Sequence, residues 1–508
     1  MSRMKAETMQ MDKFAPKSPT PCLRSEWVLL WVLGLILVLA VSRQSLWIDE
    51  AITAALASPG SLQDWWHTLI GVRGSDIQMP GYMFYMWGWV KVFGRNEWAL
   101  RVAGMVWLVP GLVAMASGFA RREQRVAIML VGVTSAFVWY YAGEARPYSM
   151  QVGVSCLIFA ALHRLSRVEL TEKQQSRWFA GFLFGIFMLC ASSLLGVIWS
   201  IGALAAAFIL IPQRRLFSLW KTGWWRLALA GLLLLVLGLY FLWTLSVGAR
   251  ATAVGKTEWK SIIFLFYEQL GLSGLGPGRI ELRRAGIESL RFYLLPLAGY
   301  FVLLSILIAS GIKEAARLES AKRIGALAAG VALPGLMLLG VGLVTHFRVL
   351  GRHFAPLMPV WFMLLALGLS ALWNRGAWMG RTVLAAYLLC SIYSCLSIRF
   401  ALRHERDDYR DAAQAGKVAL RQNQRVWWNA DRGCAEYYEM PVQSAGEQGK
   451  AALIVNPSPD ELAAMKRPNV VITSKPDIFD GNGALAEYLT QNHYRVSEKF
   501  PAFTIWRE

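Results

Sequence analysis

The sequence predicts an α-helical polytopic membrane protein with about eleven transmembrane helices and a small C-terminal α/β domain. The chain has 508 residues, of which 56% are hydrophobic and only 17% are charged, and its mean hydropathy is +0.39. A soluble protein carries roughly a quarter charged residues. Apolar stretches of about 20 residues recur along the chain, and each is long enough to cross a hydrocarbon core of about 30 Å. After residue 400 this pattern gives way to short strand-like segments.

The basic residues predict the orientation of the membrane spans. The formal charge is +19, and most Lys and Arg residues fall in short segments between apolar runs, which is typical of cytoplasmic loops. No zinc-finger, RNA-binding or helix-turn-helix pattern accompanies the charge, so we expect no nucleic-acid partner. The polar tail of residues 1–26 is also basic and is expected in the cytoplasm. No small-residue cleavage pattern follows the first apolar run, which we therefore interpret as a retained span.

Eleven spans follow from these constraints, with the N-terminus inside and the C-terminus outside. Residues 80–94, "PGYMFYMWGWVKVFG", are too short for a full crossing. They are rich in aromatic residues, which favours a helix lying in the membrane interface. Residues 46–97 are thus expected to form an outer loop with interfacial helices. The predicted spans are residues 27–45, 99–120, 126–142, 148–163, 178–194, 196–212, 226–246, 293–312, 324–345, 355–373 and 382–399.

The region after the last span is predicted to be a separate extracytoplasmic domain. The segment "DDYRDAAQAGKVAL" has helical spacing, whereas "RVWWNA", "ALIVN", "NVVITS", "YRVSEKF" and "FTIWRE" have the composition of strands. We therefore divide the chain into a tail (1–26), a membrane domain (27–400) and an α/β domain (401–508). Only Cys434 lies in the α/β domain, so we expect no disulfide there. No Cys/His spacing indicates a zinc site.

Charged residues that suit work on a lipid-linked substrate cluster on the predicted outer side. Such an enzyme needs a carboxylate to remove a proton from the acceptor. It also needs cations for a phosphate leaving group, and arginine suits this role through its rigid fork of donors. An aromatic or apolar floor would hold the lipid or sugar. The candidate carboxylates and cations are Asp49, Glu50, Asp76, Glu144, Arg101, Arg146, Arg348 and Arg352.

Five segments in sequence order resemble the polyprenyl-phosphate-dependent glycosyltransferases of the GT-C superfamily, which include protein mannosyltransferases and aminoarabinose transferases. "LWIDEA" is similar to the opening motif of these enzymes. "YYAGEARPYSM" resembles their Y-x-x-E-A-R-x-Y segment, and "RHFAPLMPVW" resembles the start of a late span. "DIQMPGYMFYMWGWVKVFGRNEWALR" and "DDYRDAA" are the other two. One departure is that Met79-Pro80-Gly81 stands where the family has His-Pro-Pro, so a role for that His is not carried over.

The resemblance implies an inverting sugar transfer at the extracytoplasmic face of the inner (plasma) membrane. The implied donor is a sugar on a polyprenyl phosphate, and the acceptor is left open among lipid A, a polysaccharide and a protein. Membrane lipids would surround the spans. We expect Asp49 to be the general base, with Glu50 and Asp76 as further catalytic candidates. The residues expected to bind substrate are Arg101, Glu144, Arg146, Tyr148, Arg348 and Arg352.

Less specific explanations exist for these residues and for the chain. Asp49 could be a solvated helix end, but its apolar neighbours favour a function because an unpaired buried carboxylate is costly. Glu50 could simply be an acid at a helix N-terminus. A divalent metal stays open, since no ligand spacing demands one. The rival functions are a lipid-linked glycan flippase or permease, and an O-antigen polymerase or ligase. Intramembrane charges or an internal repeat would favour transport, and neither is evident.

Overall fold

A computed structural model describes residues 24–71, 74–167, 170–247, 257–345, 347–444, 451–455 and 458–508. It confirms the predicted fold class, a polytopic helical membrane protein with a small C-terminal sheet domain. Residues 1–23 of the predicted tail, residues 248–256 of the outer loop predicted at 247–292 and residue 346 of the one predicted at 345–354 lie outside the described residues.

Every predicted span coincides at least in part with a helix. In chain order the helices up to residue 400 are α1 Arg24–Leu35, α2 Ile48–Ala57, α3 Leu62–Gly71, α4 Pro80–Phe93, α5 Glu97–Val102, α6 Met105–Ser117, α7 Arg122–Val133, α8 Ala136–Ala142, α9 Tyr148–Arg167, α10 Glu172–Ser192, α11 Leu194–Leu210, α12 Gln213–Ser246, α13 Trp259–Gln269, α14 Arg279–Ala285, α15 Leu294–Leu318, α16 Ala321–Val344, α17 Met358–Arg375 and α18 Ala377–Phe400.

Six of the helical segments within the described residues are long and apolar enough to cross a membrane by length and composition, or seven if the bent pair α7 and α8 forms one span. This pair bends by 53° at its break. Other predicted spans coincide with helices that are shorter or carry more polar residues, such as the 17-residue α11. The protein is therefore multi-pass, while the number eleven and the sidedness of the loops stay predictions.

The first predicted span, residues 27–45, is too long at its C-terminal end. Helix α1 ends at Leu35, one 3₁₀ segment continues over Ile36–Ala40, and residues 41–47 are extended. The backbone carbonyls of Ser42, Gln44 and Ser45 all accept hydrogen bonds from the Arg101 side chain. A distant arginine thus satisfies backbone groups that a helix would otherwise pair internally, which hydropathy alone does not show.

The short aromatic segment at 80–94 is a helix, as predicted. Pro80 begins α4, where its missing N–H costs nothing. Gly94 ends it with a φ of 79°, a conformation that favours glycine. Aromatic rings of α3 and α4 pack together, with Trp65 in edge-to-face contact with Phe84 and near Trp87. Its position in the membrane interface remains a prediction.

The C-terminal domain contains one six-stranded sheet in the order β2-β3-β1-β4-β6-β5. Its four strands β2, β3, β1 and β4 are parallel, and β6 and β5 complete one side antiparallel. All five predicted strands and the predicted helix are confirmed, whereas the two-residue β2 was not predicted. The elements are α19 Tyr409–Arg421, β1 Val426–Asn429, α20 Arg432–Tyr437, β2 Val442–Gln443, β3 Ala452–Ile454, α21 Pro459–Ala464, β4 Val470–Ser474, α22 Pro476–Phe479, α23 Ala484–Gln491, β5 Arg495–Phe500 and β6 Phe503–Arg507.

The α/β domain packs directly on the helix that carries Asp49. Ala51 of α2 is fully buried in the apolar cluster of the sheet domain, and Ile48 packs against it. The Tyr438 hydroxyl accepts a hydrogen bond from the Leu46 backbone N–H at 2.7 Å. The C-terminal domain therefore helps to fix the start of α2.

Candidate active site

One large open cavity of about 2370 Å³ lies between one end of the membrane helices and the α/β domain. Sites for single small molecules usually enclose roughly 300–1,000 Å³. Six of the nine sequence-predicted site residues line this cavity, namely Asp49, Glu144, Arg146, Tyr148, Arg348 and Arg352. The other three, Glu50, Asp76 and Arg101, lie behind its wall.

Asp49 occupies the first turn of α2 and faces the cavity. Its side chain is 27% exposed, and its Oδ2 lies 3.5 Å from Nη1 of Arg352. The helix begins after Trp47, which has an extended backbone conformation. A carboxylate in the first helical turn is stabilised by the unpaired N–H groups there. The local structure therefore offers a charged oxygen to the cavity next to a cation.

Glu50 points away from the cavity although it follows Asp49 directly, because successive helical residues are about 100° apart. Its side chain is fully buried, and Arg101 donates to both carboxylate oxygens at 2.9 and 2.7 Å. The backbone N–H of Ala145 donates at 2.8 Å, and Arg406 lies 3.3 Å away. These cations hold the pKa of Glu50 below its usual value against the opposing effect of burial.

The Arg101 side chain has no exposed surface. It donates hydrogen bonds to Glu50 and to Ser42, Gln44 and Ser45 of the extended segment before α2. All three nitrogens of its guanidinium are engaged by protein oxygens. The structure thus places the Glu50–Arg101 pair behind the cavity wall, and the roles expected for these two residues from the sequence stay predictions.

Asp76 and Arg146 form a second buried pair at 2.6 Å. The same Nη1 of Arg146 donates to the backbone oxygen of Asp49 at 3.2 Å and to the Thr53 hydroxyl at 3.1 Å. Arg146 therefore ties the loop that contains Asp76 to the helix that carries Asp49. Glu144 and Arg146 lie only two positions apart, yet each has a separate partner: Arg146 pairs with Asp76 and Glu144 with Arg406.

Arg352 and Arg279 place two guanidinium groups among aromatic rings in the cavity. The Arg352 guanidinium lies 5.8 Å from the Trp47 ring centre and 5.7 Å from that of Tyr148. Arg279 lies 5.3 Å from Trp47 and 5.6 Å from Tyr140. These distances allow cation–π contact. Arg279 also lines the cavity, yet sequence reasoning missed it because it lies in the predicted outer loop 247–292, for which no motif was available.

Glu144 is a buried carboxylate in the cavity wall without a hydrogen-bond donor. Neither of its oxygens has a hydrogen-bond partner in the described structure, and its ion pair with Arg406 is long, at 3.7 Å. Burial raises the pKa of Glu144, and the nearby arginines offset this only in part. Glu268 also lines the cavity, and burial raises its pKa in the same way. The carboxyl groups of Glu144 and Glu268 therefore bind protons more tightly than an exposed glutamate does.

Arg406 is a second residue that sequence reasoning missed. It bridges Glu50 and Glu144 and donates to the backbone oxygen of Tyr140 at 3.1 Å. The sequence feature that could have pointed to Arg406 is its position directly before the "DDYRDAA" segment, at the entry to the C-terminal domain. Arg348, which the sequence predicted as a substrate-binding residue, is exposed at the rim of the cavity, whereas Arg406 is largely buried.

The described residues include no group of three or more His, Cys, Asp or Glu side chains that could hold a metal ion. A divalent metal therefore has no ready ligand set in the described part of the chain.

Comparison with known proteins gives a structural likeness and no match in sequence. No protein-family model matches the chain, and no curated protein matches it. The crystal structure of ArnT from Cupriavidus metallidurans in the apo state matches with a TM-score of 0.50 at 13% identity, covering 95% of this chain and 98% of ArnT. The same protein bound to undecaprenyl phosphate matches with a TM-score of 0.45 at 15% identity, over the same shares of the two chains.

A mycobacterial arabinofuranosyltransferase, AftD, is also similar, with a TM-score of 0.43 at 14% identity. That match covers 96% of this chain but only 40% of AftD. At these identities the likeness concerns the fold, and the ArnT match in the apo state carries it along nearly the whole chain. The chain therefore shares the fold of this ArnT structure along nearly its whole length.

Proposed function

We propose that this protein transfers a sugar from a polyprenyl-phosphate donor to a hydroxyl-bearing acceptor on the extracytoplasmic face of the membrane. The observation that carries the proposal is that Asp49, Arg352 and Arg279 line one cavity at the same end of the membrane helices, with Asp49 and Arg352 paired. The carboxylate can accept the proton of the acceptor hydroxyl, and the guanidinium groups can stabilise the phosphate that leaves. The motif resemblance and the fold support the same reaction class.

In this mechanism Asp49 acts as the general base. It accepts the proton of the acceptor hydroxyl while that oxygen attacks the anomeric carbon of the donor sugar. The bond between the anomeric carbon and the phosphate oxygen breaks on the opposite face, so the configuration inverts. Arg352 orients the carboxylate through its ion pair at 3.5 Å. A base must lie within hydrogen-bond reach of the proton it removes, and the exposed face of Asp49 permits this.

The leaving polyprenyl phosphate is assigned to Arg352 and Arg279. Both guanidinium groups face the cavity, and both lie near the Trp47 ring. Arginine offers paired donors that match phosphate oxygens. Arg348, at the rim, would meet the phosphate or the acceptor during entry.

The buried pairs are proposed to position the base rather than to contact substrate. Arg146 holds the Asp49 backbone, and the Glu50–Arg101 pair holds the chain segment that leads into α2. Tyr148 flanks Arg352 and helps to form the aromatic floor. Glu144 stays a candidate for contact with the sugar, since its oxygens have no donor of their own.

The proposed setting is the inner membrane of a cell envelope, with the membrane domain at residues 27–400 and the α/β domain outside. Long helices such as α12 and α15 expose many apolar side chains, including Leu232, Leu239 and Leu295. Such surfaces suit contact with lipid acyl chains and with the polyprenyl tail. The basic segments between spans support the orientation.

The direct test is mass spectrometry of envelope glycans, lipids and glycoproteins from cells with and without the protein, paired with transfer by the purified protein from undecaprenyl-phosphate sugars. A sugar lost from one envelope component, and restored by the wild-type chain, is the expected result. Unchanged envelope sugars together with altered movement of a lipid-linked glycan across the membrane would instead support transport.

A further inference from the structure

The sheet of the C-terminal domain ends at the same cavity that contains Asp49. Strands β1 and β4 are adjacent and parallel, with Asn429 opposite Thr473. The chain leaves β1 through α20 toward β2 on one side of the sheet, and it leaves β4 through α22 and α23 toward β5 on the other. Adjacent parallel strands whose connections diverge in this way leave a crevice at their carboxyl ends, where open α/β sheets bind ligands.

Two side chains at this crevice have polar atoms that the protein leaves unsatisfied. Asn429, the last residue of β1, and Ser474, the last residue of β4, are each 2% exposed, and both line the cavity. The Asn429 amide nitrogen donates to the backbone oxygens of Val455 and Phe479. The Oδ1 of Asn429 and the Oγ of Ser474 have no hydrogen-bond partner in the described structure. A buried polar atom without a partner lowers stability, so two at one crevice point to a missing ligand.

The backbone at the crevice is also strained. Lys475 follows Ser474 with a φ of 41°, which is rare for a residue other than glycine. Its ammonium group pairs with Asp407, at the junction with the membrane domain. Strained residues of this kind cluster at binding sites, where the surrounding structure holds them in place.

The side chains around the crevice select the chemical class of ligand. Asp431 also lines the cavity, as do Asp407 and Lys475, whose opposite charges are paired. The Asp431 carboxylate accepts hydrogen bonds but repels anions. The unsatisfied Oδ1 of Asn429 is an acceptor too. Trp506 adds an aromatic ring and donates to the Thr473 hydroxyl at 3.1 Å. A ligand that donates several hydrogen bonds, carries no negative charge and presents a flat face fits this lining, and a neutral sugar has all three properties.

We infer that the crevice at the carboxyl ends of β1 and β4 binds an uncharged, hydroxyl-rich glycan, which is the acceptor of the transfer reaction. This inference rests on the proposed function, and it gives the C-terminal domain a role in acceptor recognition. The cavity is continuous from Ser474 to Asp49. A glycan held at the sheet would therefore present a neighbouring hydroxyl to the base, while the donor enters from the membrane side.

The test uses the full-length protein in lipid nanodiscs and measures binding of three neutral trisaccharides (maltotriose, cellotriose and mannotriose) by saturation-transfer NMR, with glucose 6-phosphate as the anionic probe. We expect at least one trisaccharide to bind and glucose 6-phosphate to bind more weakly. Ser474→Ala should weaken trisaccharide binding roughly three- to tenfold, the effect of one hydrogen bond. It should not lower thermal stability, because that hydroxyl has no partner in the protein.

The matched control is Ser497→Ala on the edge strand β5, whose hydroxyl donates to the Ile505 backbone oxygen at 3.3 Å. It should leave trisaccharide binding unchanged. Absence of binding by all three trisaccharides, tighter binding of glucose 6-phosphate, or equal binding by wild type and Ser474→Ala would each overturn the inference. Binding of undecaprenyl phosphate by the same preparation is measured in parallel. Its absence would count against the proposed function, whereas its presence with unaltered Ser474→Ala binding would remove only the acceptor site.

Discussion

Replacement of Arg101 by alanine should destabilise the protein strongly because it breaks the most enclosed ion pair near the site. Both side chains of the Arg101–Glu50 pair have no exposed surface, and the two groups lie 2.7 Å apart. The change would leave the Glu50 carboxylate with the Ala145 N–H and with Arg406 at 3.3 Å. It would also remove the donors to three backbone carbonyls in residues 42–45.

The expected loss of stability follows from the Glu50 charge that remains buried without Arg101. Removal of one partner from a buried ion pair costs about 3–5 kcal/mol, since the other charge stays without compensation. At about 1.4 kcal/mol for each factor of ten, the unfolding equilibrium should shift by roughly two to three and a half orders of magnitude. Lysine at position 101 keeps the charge but loses the fork of donors, so it should recover only part of the loss.

The assay is reversible unfolding of the purified protein in mixed micelles, with Arg410→Ala as the matched control. Arg410 pairs with Glu97 at 2.6 Å, but its side chain is 43% exposed. Exposed pairs contribute about 0–1 kcal/mol, so that variant should stay close to wild type. Equal stability of the Arg101→Ala and Arg410→Ala proteins, with a specific loss of donor binding by the former, would refute the positioning role and restore the contact expected from the sequence.

Three further changes probe the cavity. Arg352→Ala should lower the rate of transfer by roughly 10²–10³, the usual cost of one donor to developing charge, and Lys should restore part of it; an unaltered rate would exclude the phosphate contact. Burial raises the pKa of Glu144 above 4.5, so its contribution to stability is complete below that pH and is lost as pH rises through the higher native pKa. The stability of Glu144→Gln relative to wild type, followed by thermal unfolding, should therefore increase with pH, and a decrease would contradict the assignment. Gly278→Ala would drive a methyl group into the backbone oxygen of Arg403 and should displace the following loop. It should reduce both thermal stability and transfer, while Gly299→Ala, with nothing within 4 Å, serves as the control and should reduce neither.

The sequence predicted the fold well because periodicity and charge are local signals. Apolar runs predicted the six helical segments that are long and apolar enough to cross a membrane, and alternating segments predicted five of the six strands. The end of the first span was missed because residues 41–47 are held extended by Arg101, which lies far away in the chain. A contact between residues 59 positions apart leaves no trace in a hydropathy pattern.

The site was predicted only in part, because its geometry also depends on contacts between residues that are far apart in the chain. Motif position brought Asp49 and Arg352 together, and the structure places them in one cavity. Sequence could not tell that the adjacent carboxylates diverge, with Asp49 toward the cavity and Glu50 into a buried pair. It also could not assign Arg279, because the predicted outer loop that contains it has no recognisable motif. The side of a helix that faces a cavity depends on tertiary packing, which composition does not report.

The most direct measurement of the central claim compares Asp49→Asn with wild type in sugar transfer and in donor binding. Asparagine keeps the size and polarity of the side chain but removes the basic carboxylate. The account predicts that transfer from a purified undecaprenyl-phosphate sugar falls by on the order of 10²–10⁴, as expected for loss of a general base. Binding of undecaprenyl phosphate should persist, because Arg352 and Arg279 remain. Near-normal transfer by Asp49→Asn, with the donor still bound, would contradict the assignment of Asp49 as the base.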